Sequence, residues 1–356
     1  MLFRVLLTIV CAGFAATGAP FTSLYFFGDS LTDTGNVYRG TTVLNRYTLG
    51  AVPRHPTAPY AEGRFTNGPV WAEHVAARLD RPQDALPGGM SMGWFGRLGG
   101  SGNNYAVGGA RTDSDGALGL LDIALPTGIF EQVDFYLSKT GGAADPRGLY
   151  FVFGAGNDLR DAARIADPSE RMRASQQAGI NIAYSVQRLY FAGARQFVLI
   201  NSPDVGLVPE SIGDGVTAGG TDASVQFNTW LSLYAAYLPT VPEFSLHFFD
   251  LFGLHHELVA QRGFDAIRPC KDGPPDLCQQ TLFFDSIHPT AWVHEIIGAR
   301  IADQLLAAAT PAYLSSAVAP QVHAPEPSTI FLMLSAAGAL LVIRRKGSFK
   351  MKDDAR

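Results

Sequence analysis

Cysteine, basic charge and long hydrophobic runs are all scarce in this chain, and each scarcity narrows what it can be. There are three cysteines among 356 residues. Cys11 lies in an apolar N-terminal stretch, which leaves Cys270 and Cys278, close together in the Pro/Gly-rich segment CKDGPPDLC. Two isolated thiols do not make a cysteine-rich zinc site. His247, His255 and His256 lie near one another, but adjacent side chains diverge and no wider ligand set accompanies them. No metal is therefore assigned and no cofactor is expected. Acidic residues outnumber basic ones, for a formal net charge of −5. The two ends are themselves net basic, so the body between them is more acidic still. A nucleic-acid partner needs a basic footprint, and none is expected. Hydrophobic runs that approach membrane length occur only at the ends, and both are short of the ~20 residues of a helical span. No internal repeat is present.

What the ends contain points to export. Arg4, the apolar run Val5 to Ala16, and the small residues Thr17 and Ala19 before Pro20 read as a secretory signal over 1–19. An uncleaved anchor is the alternative. Near the other end, Pro325-Glu326-Pro327-Ser328 precedes an apolar stretch, Thr329 to Ile343, and then Arg344, Arg345 and Lys346. This order over 325–346 resembles the PEP-CTERM sorting tail of exported proteins of Gram-negative bacteria, which implies recognition by an exosortase. A plain C-terminal anchor is the alternative. Either reading places the body outside the cytoplasm, in the periplasm, at the cell surface or beyond, with transient inner-membrane anchoring by the tail. Residues 311–324, rich in Ala, Pro and Ser, read as a linker, and 347–356 as an extension without an assigned role. In an exported chain the Cys270/Cys278 pair favours a disulfide over free thiols.

The body, 20–310, reads as one α/β domain. Short apolar runs bounded by turn residues are expected to be buried parallel strands: Leu24–Phe27, Tyr105–Val107, Leu149–Phe153, Phe197–Ile200 and Ser245–Phe249. Helical spacing is expected over Val70–Leu79, Gly128–Leu137, Pro168–Ala192, Asp222–Leu238 and Thr290–Ala308. Alternating strands and helices imply helices on both faces of a sheet. Arg81–Gly102 and Pro203–Gly220 read as loops. Met90, Met92, Trp94 and Phe95 in the first of these lean toward an apolar acyl chain as ligand.

The chemistry sits at strand ends. GDS (28–30) puts Ser30 directly after an apolar run, where sites form in open α/β sheets. DSIHP (285–289) supplies an acid, Asp285, three residues before His288. A serine nucleophile needs an adjacent base, and the base needs an orienting partner. NYAVGGA (104–110) brings Gly108 and Gly109 to a second strand end, where a backbone N–H can approach an oxyanion. GAGND (154–158) brings the Asn157 amide to a third. Singly, each segment is ordinary turn or capping chemistry; together they describe one crevice.

These blocks, in this order, resemble the GDSL esterase/lipase family of the SGNH hydrolases, over residues 24 to about 308. GRFTNG (63–68) and LINSPDVGLVP (199–209) are similar to family segments as well. The resemblance implies a three-layer αβα sandwich, flavodoxin-like, with about five parallel strands. It implies Ser30 as nucleophile, His288 as general base, Asp285 as orienter, and an oxyanion hole of Ser30, Gly109 (or Gly108) and Asn157. Asp29 would position the turn. The expected activity is hydrolysis of a carboxylic ester on a small molecule or lipid. A phospholipase, an O-acetyl esterase acting on acylated polysaccharide, and a non-catalytic surface binding protein are the alternatives. GAGND carries one residue more than the short Gly-x-Asn-Asp form.

Overall fold

A computed structural model describes residues 21–117 and 127–309. The expected signal, linker, tail and extension lie outside the described residues. Along the chain, β1 (Leu24–Gly28) leads to helices α1 (Asn36–Tyr47) and α2 (Trp71–Arg78) and a hairpin of β2 (Gly89–Ser91) and β3 (Arg97–Gly99). Helix α3 (Ile129–Lys139) precedes β4 (Leu149–Phe153), α4 (Gly156–Ala163), α5 (Pro168–Phe191) and β5 (Gln196–Ile200). Then come α6 (Pro209–Gly213), α7 (Thr217–Tyr237), β6 (Ser245–Phe249), α8 (Leu251–Arg262) and α9 (Ala291–Ala309). Among the described residues, no helix is long and apolar enough to cross a membrane.

The main sheet is parallel, in the order β1-β4-β5-β6. Its register explains the layers. Phe26 pairs with Phe151 and Phe151 with Val198, while Phe27 pairs with Val152 and Val152 with Leu199. Strand side chains alternate between faces, so these two sets feed two cores. Phe26, Phe151 and Val198 pack with Trp71 and Val75 of α2, Leu254 of α8, and Ile297 and Ile301 of α9. Phe27, Val152 and Leu199 pack with Val133 and Tyr136 of α3, Ile182 and Val186 of α5, and Phe227 of α7. Each such fully buried side chain stabilises the fold by about 1.5–3 kcal/mol. The result is helices, sheet, helices: the expected three-layer αβα arrangement.

Four expectations are revised. Tyr105–Val107 is not a regular strand. It runs beside β1, with Tyr105 N–H donating to Phe26 O and Val107 N–H to Gly28 O. Its ladder is broken because the Gly28 N–H, which would continue the pairing, donates instead to the Gln132 side chain at 2.9 Å. The expected fifth strand is therefore an extended segment flanking a four-stranded sheet. Arg81–Gly102 is not all loop, since it contains the β2–β3 hairpin. Met90 and Met92 are buried there with Val37, Leu44, Phe65 and Val107 in a third apolar cluster, so they are core rather than ligand surface. Pro203–Gly220 likewise holds α6 and the first turn of α7.

Candidate active site

The Gly-Asp-Ser turn is held from several directions. Gln132 of α3 clamps Gly28: its Oε1 accepts the Gly28 N–H at 2.9 Å and its Nε2 donates to Gly28 O at 2.7 Å. A Cβ on Gly28 would lie 2.3 Å from Phe153 O, so only glycine fits where β1 and β4 end together. Asp29 accepts the Leu31 N–H at 3.0 Å. Burial pushes the Asp29 carboxyl up to about 6, against the pull of the Leu31 N–H, His288 and the Gly156 N–H. Asp33 is wholly buried at the start of α1, accepting N–H groups from Gly35, Asn36 and Val37.

Ser30 emerges from this turn 2.8 Å from His288 Nε2. The other ring nitrogen, Nδ1, lies 2.7 Å from Asp285 Oδ2. A carboxylate only accepts, so Nδ1 carries the proton and Nε2 is left to accept the Ser30 hydroxyl. Asp285 Oδ1 accepts the Ile287 and His288 N–H groups at 2.9 and 2.8 Å. Burial alone would raise the Asp285 carboxyl. The hydrogen bond and charge of His288, the Ile287 N–H and a Tyr60 hydroxyl together hold it well below the usual carboxylate range.

Asn157 stands in the first turn of α4. Its Nδ2 donates to Ala110 O at 2.9 Å, and its Oδ1 accepts from Arg160 at 3.1 Å. These partners fix which end of the amide is the donor and leave one Nδ2 proton for another acceptor. Arg160 is forked onto Glu210 at 2.8 and 2.7 Å. The Glu210 N–H donates to Ser286 O at 2.9 Å, so this ion pair ties the Asn157 helix to the histidine loop. The extra residue of GAGND is absorbed by Ala155, at φ 93°, a left-handed conformation that alanine seldom adopts. The adjacent glycines differ: the Gly108 N–H donates to Asp33 at 2.9 Å. Among the described residues the Gly109 N–H, at φ 82°, has no acceptor.

Several site residues carried no assignment from sequence. Tyr60 donates to Asp285 Oδ2 at 2.7 Å, the same oxygen that faces His288. Phe65 lies against the His288 ring, centroids 5.3 Å apart. Thr66 donates to Pro289 O at 2.7 Å, and Asn67 Oδ1 accepts the Ala291 N–H at 2.8 Å. The GRFTNG segment thus clamps both sides of the histidine loop. Asn36 donates to Asn104 O and Ala106 O, holding the strand-like segment before Gly108. Neither Asp33, whose following helix has no clear apolar face in the sequence, nor Tyr60 had a readable signal. Cys270 and Cys278 are joined as a disulfide just before the histidine loop. His256 faces Asp204, and His255 is buried with neither ring nitrogen paired among the described residues.

The site thus holds a serine hydrogen-bonded to a histidine that is itself bonded to a buried carboxylate. Residues 24–301 match the GDSL-like lipase/acylhydrolase family, and the chain belongs to it. It is similar to esterase EstA of Pseudomonas aeruginosa, 31% identical over 239 residues, covering 61% of this chain and 34% of that protein. It is also similar to a phosphatidylcholine-sterol acyltransferase of Aeromonas hydrophila, 26% identical over 61% of this chain and 55% of that one. The thermolabile hemolysin of Vibrio parahaemolyticus is 25% identical over 77% of this chain and 61% of its own length. The chain spans about a third of the length of EstA. Among solved structures, a carbohydrate acetylesterase of Sinorhizobium meliloti aligns with 80% of this chain and 99% of its own, at 18% identity and a TM-score of 0.40.

Proposed function

We propose that this chain is an exported serine hydrolase that cleaves carboxylic esters. The observation that carries the reading is the unbroken relay Ser30–His288–Asp285, with contacts of 2.8 and 2.7 Å. Ser30 Oγ attacks the acyl carbon while His288 Nε2 takes its proton. Asp285 holds the imidazole in the tautomer this needs and stabilises the imidazolium that forms. Ser30 N–H, Gly109 N–H and the unused Asn157 Nδ2 proton face the oxyanion. Gly109 is preferred to Gly108 because the Gly108 N–H already donates to Asp33. His288 then protonates the leaving alcohol, and an acyl group remains on Ser30. Water, deprotonated by His288, releases the acid and restores the serine. No metal or cofactor enters any step.

Export rests on the N-terminal segment 1–19 and the tail 325–346, the latter proposed as substrate of an exosortase-type enzyme in a Gram-negative host. Relatives named esterase, lipase and acyltransferase support esters of small molecules or lipids. The test is a hydrolysis panel of p-nitrophenyl esters of rising chain length, a phospholipid and acetylated xylan. Turnover of the acyl esters is expected. Activity on acetylated xylan alone would move the substrate to polysaccharide. No hydrolysis of any ester by folded protein would leave a binding protein on a hydrolase scaffold.

A further inference from the structure

The tip of the β2–β3 hairpin puts apolar side chains into water. Trp94 is 96% exposed and Phe95 49%. Beside them, the end of α1 presents Tyr47, 72% exposed, with its ring 5.8 Å from that of Phe95. Leu49, just past that helix end, is 97% exposed. Single exposed apolar residues need no explanation, but a cluster containing Trp, Phe, Tyr and Leu does. The surrounding charge is of one sign. Arg46, Arg54 and Arg97 are exposed, and among the described residues none has an acidic partner. Segments 46–54 and 91–100 contain no Asp or Glu, in a chain whose net charge is −5.

The geometry points to this hairpin tip as a docking surface for an anionic lipid bilayer. Indole and phenol rings settle at the boundary between headgroups and acyl chains, where one end is apolar and the other wet. Unpaired arginines around them are attracted to an anionic leaflet. The surface is also continuous with the proposed site. Met90 and Met92, at the root of the tip, share an apolar cluster with Phe65, whose ring lies against His288. Docking therefore brings the bilayer up to the wall of the catalytic crevice and presents it with esters held at a lipid surface.

The test uses the full chain with vesicles of phosphatidylcholine and phosphatidylglycerol carrying brominated acyl chains, which quench nearby indoles. Trp94→Phe keeps an aromatic surface but removes the reporter. Wild-type fluorescence should be quenched, and that quenching should be absent in Trp94→Phe, even if another segment also anchors the chain. Arg46→Ser/Arg97→Ser should raise the lipid needed for half-quenching about tenfold or more, since each arginine near an anionic surface contributes about fivefold. Equal quenching in wild type and Trp94→Phe would overturn the proposal, as would no quenching at all or an unchanged lipid requirement in the arginine variant. A Trp94 signal that follows protein concentration without vesicles would assign the surface to a second copy of the chain. Hydrolysis of a soluble ester is read in parallel. Its absence with quenching intact would sink the hydrolase reading and leave docking standing.

Discussion

Asp29 and Asp285 are two buried carboxyls near the same histidine, 2% and 7% exposed, and they are driven in opposite directions. Asp29 rises to about 6 because burial outweighs its backbone partners. Asp285 falls because His288, two backbone N–H groups and Tyr60 all face it. Burial alone does not decide the charge of a site acid; the donors aimed at it do. The regions around the two acids differ in construction as well. The Gly-Asp-Ser turn is a product of the sheet, fastened by the Gly28 backbone, by Gln132 and by the close approach of β4. The Asp-x-x-His loop is a product of side chains from elsewhere: Tyr60, Phe65, Thr66 and Asn67 on one side, and Glu210 on the other.

Short of removing Ser30 itself, the largest expected effect falls on the anion-binding half of the site, at Asn157 in α4. Asn157→Ala removes a donor proposed for the oxyanion, which costs about 3–4 kcal/mol in the transition state and about 10²–10³-fold in kcat. KM for a p-nitrophenyl ester should move little, because the donor acts on charge that develops during reaction. A kcat within twofold of wild type would remove Asn157 from the oxyanion hole.

A smaller effect sharpens the loop side. Tyr60→Phe deletes one hydrogen bond to the Asp285 carboxylate; bonds to a charged group are worth about 1.5–3 kcal/mol, and with part of that felt in the transition state kcat should fall by about tenfold. Its stability effect has a definite sign. A carboxyl held below its unfolded value of 3.8 stabilises the fold above that pH and loses its contribution as the pH falls. Tyr60 is one of the groups holding Asp285 down. Urea unfolding should therefore find Tyr60→Phe less stable than wild type at pH 7, with the gap narrowing below about pH 4. A gap that widens on acidification would contradict the role given to this hydroxyl.

The same contrast marks what could be read from sequence. Leu149–Phe153 was legible as a strand because it is fully apolar between turn residues, and Ser30, Asp285 and His288 because each sits in a short motif. Gly108 and Gly109 were equivalent by spacing; only the Asp33 contact separates them. Tyr60 was not legible because its partner lies 225 residues away, and a loop tyrosine has no local signature. Helix α1 was missed because Gly40, Thr41 and Thr42 dilute its apolar face, while its start is fixed by Asp33, three residues upstream. Met90 and Met92 were misread because a hairpin this short hides its alternation inside a glycine-rich run.

Whether Ser30 is the nucleophile can be measured most directly by mapping a fluorophosphonate. Such a probe reacts fastest with a serine whose hydroxyl proton a neighbouring base removes. In wild-type protein, peptide mass spectrometry should find the phosphonyl adduct on Ser30, with ester turnover abolished in step. Ser30→Ala should neither label nor turn over p-nitrophenyl butyrate. Labelling at another serine, or near-normal turnover by Ser30→Ala, would contradict the account.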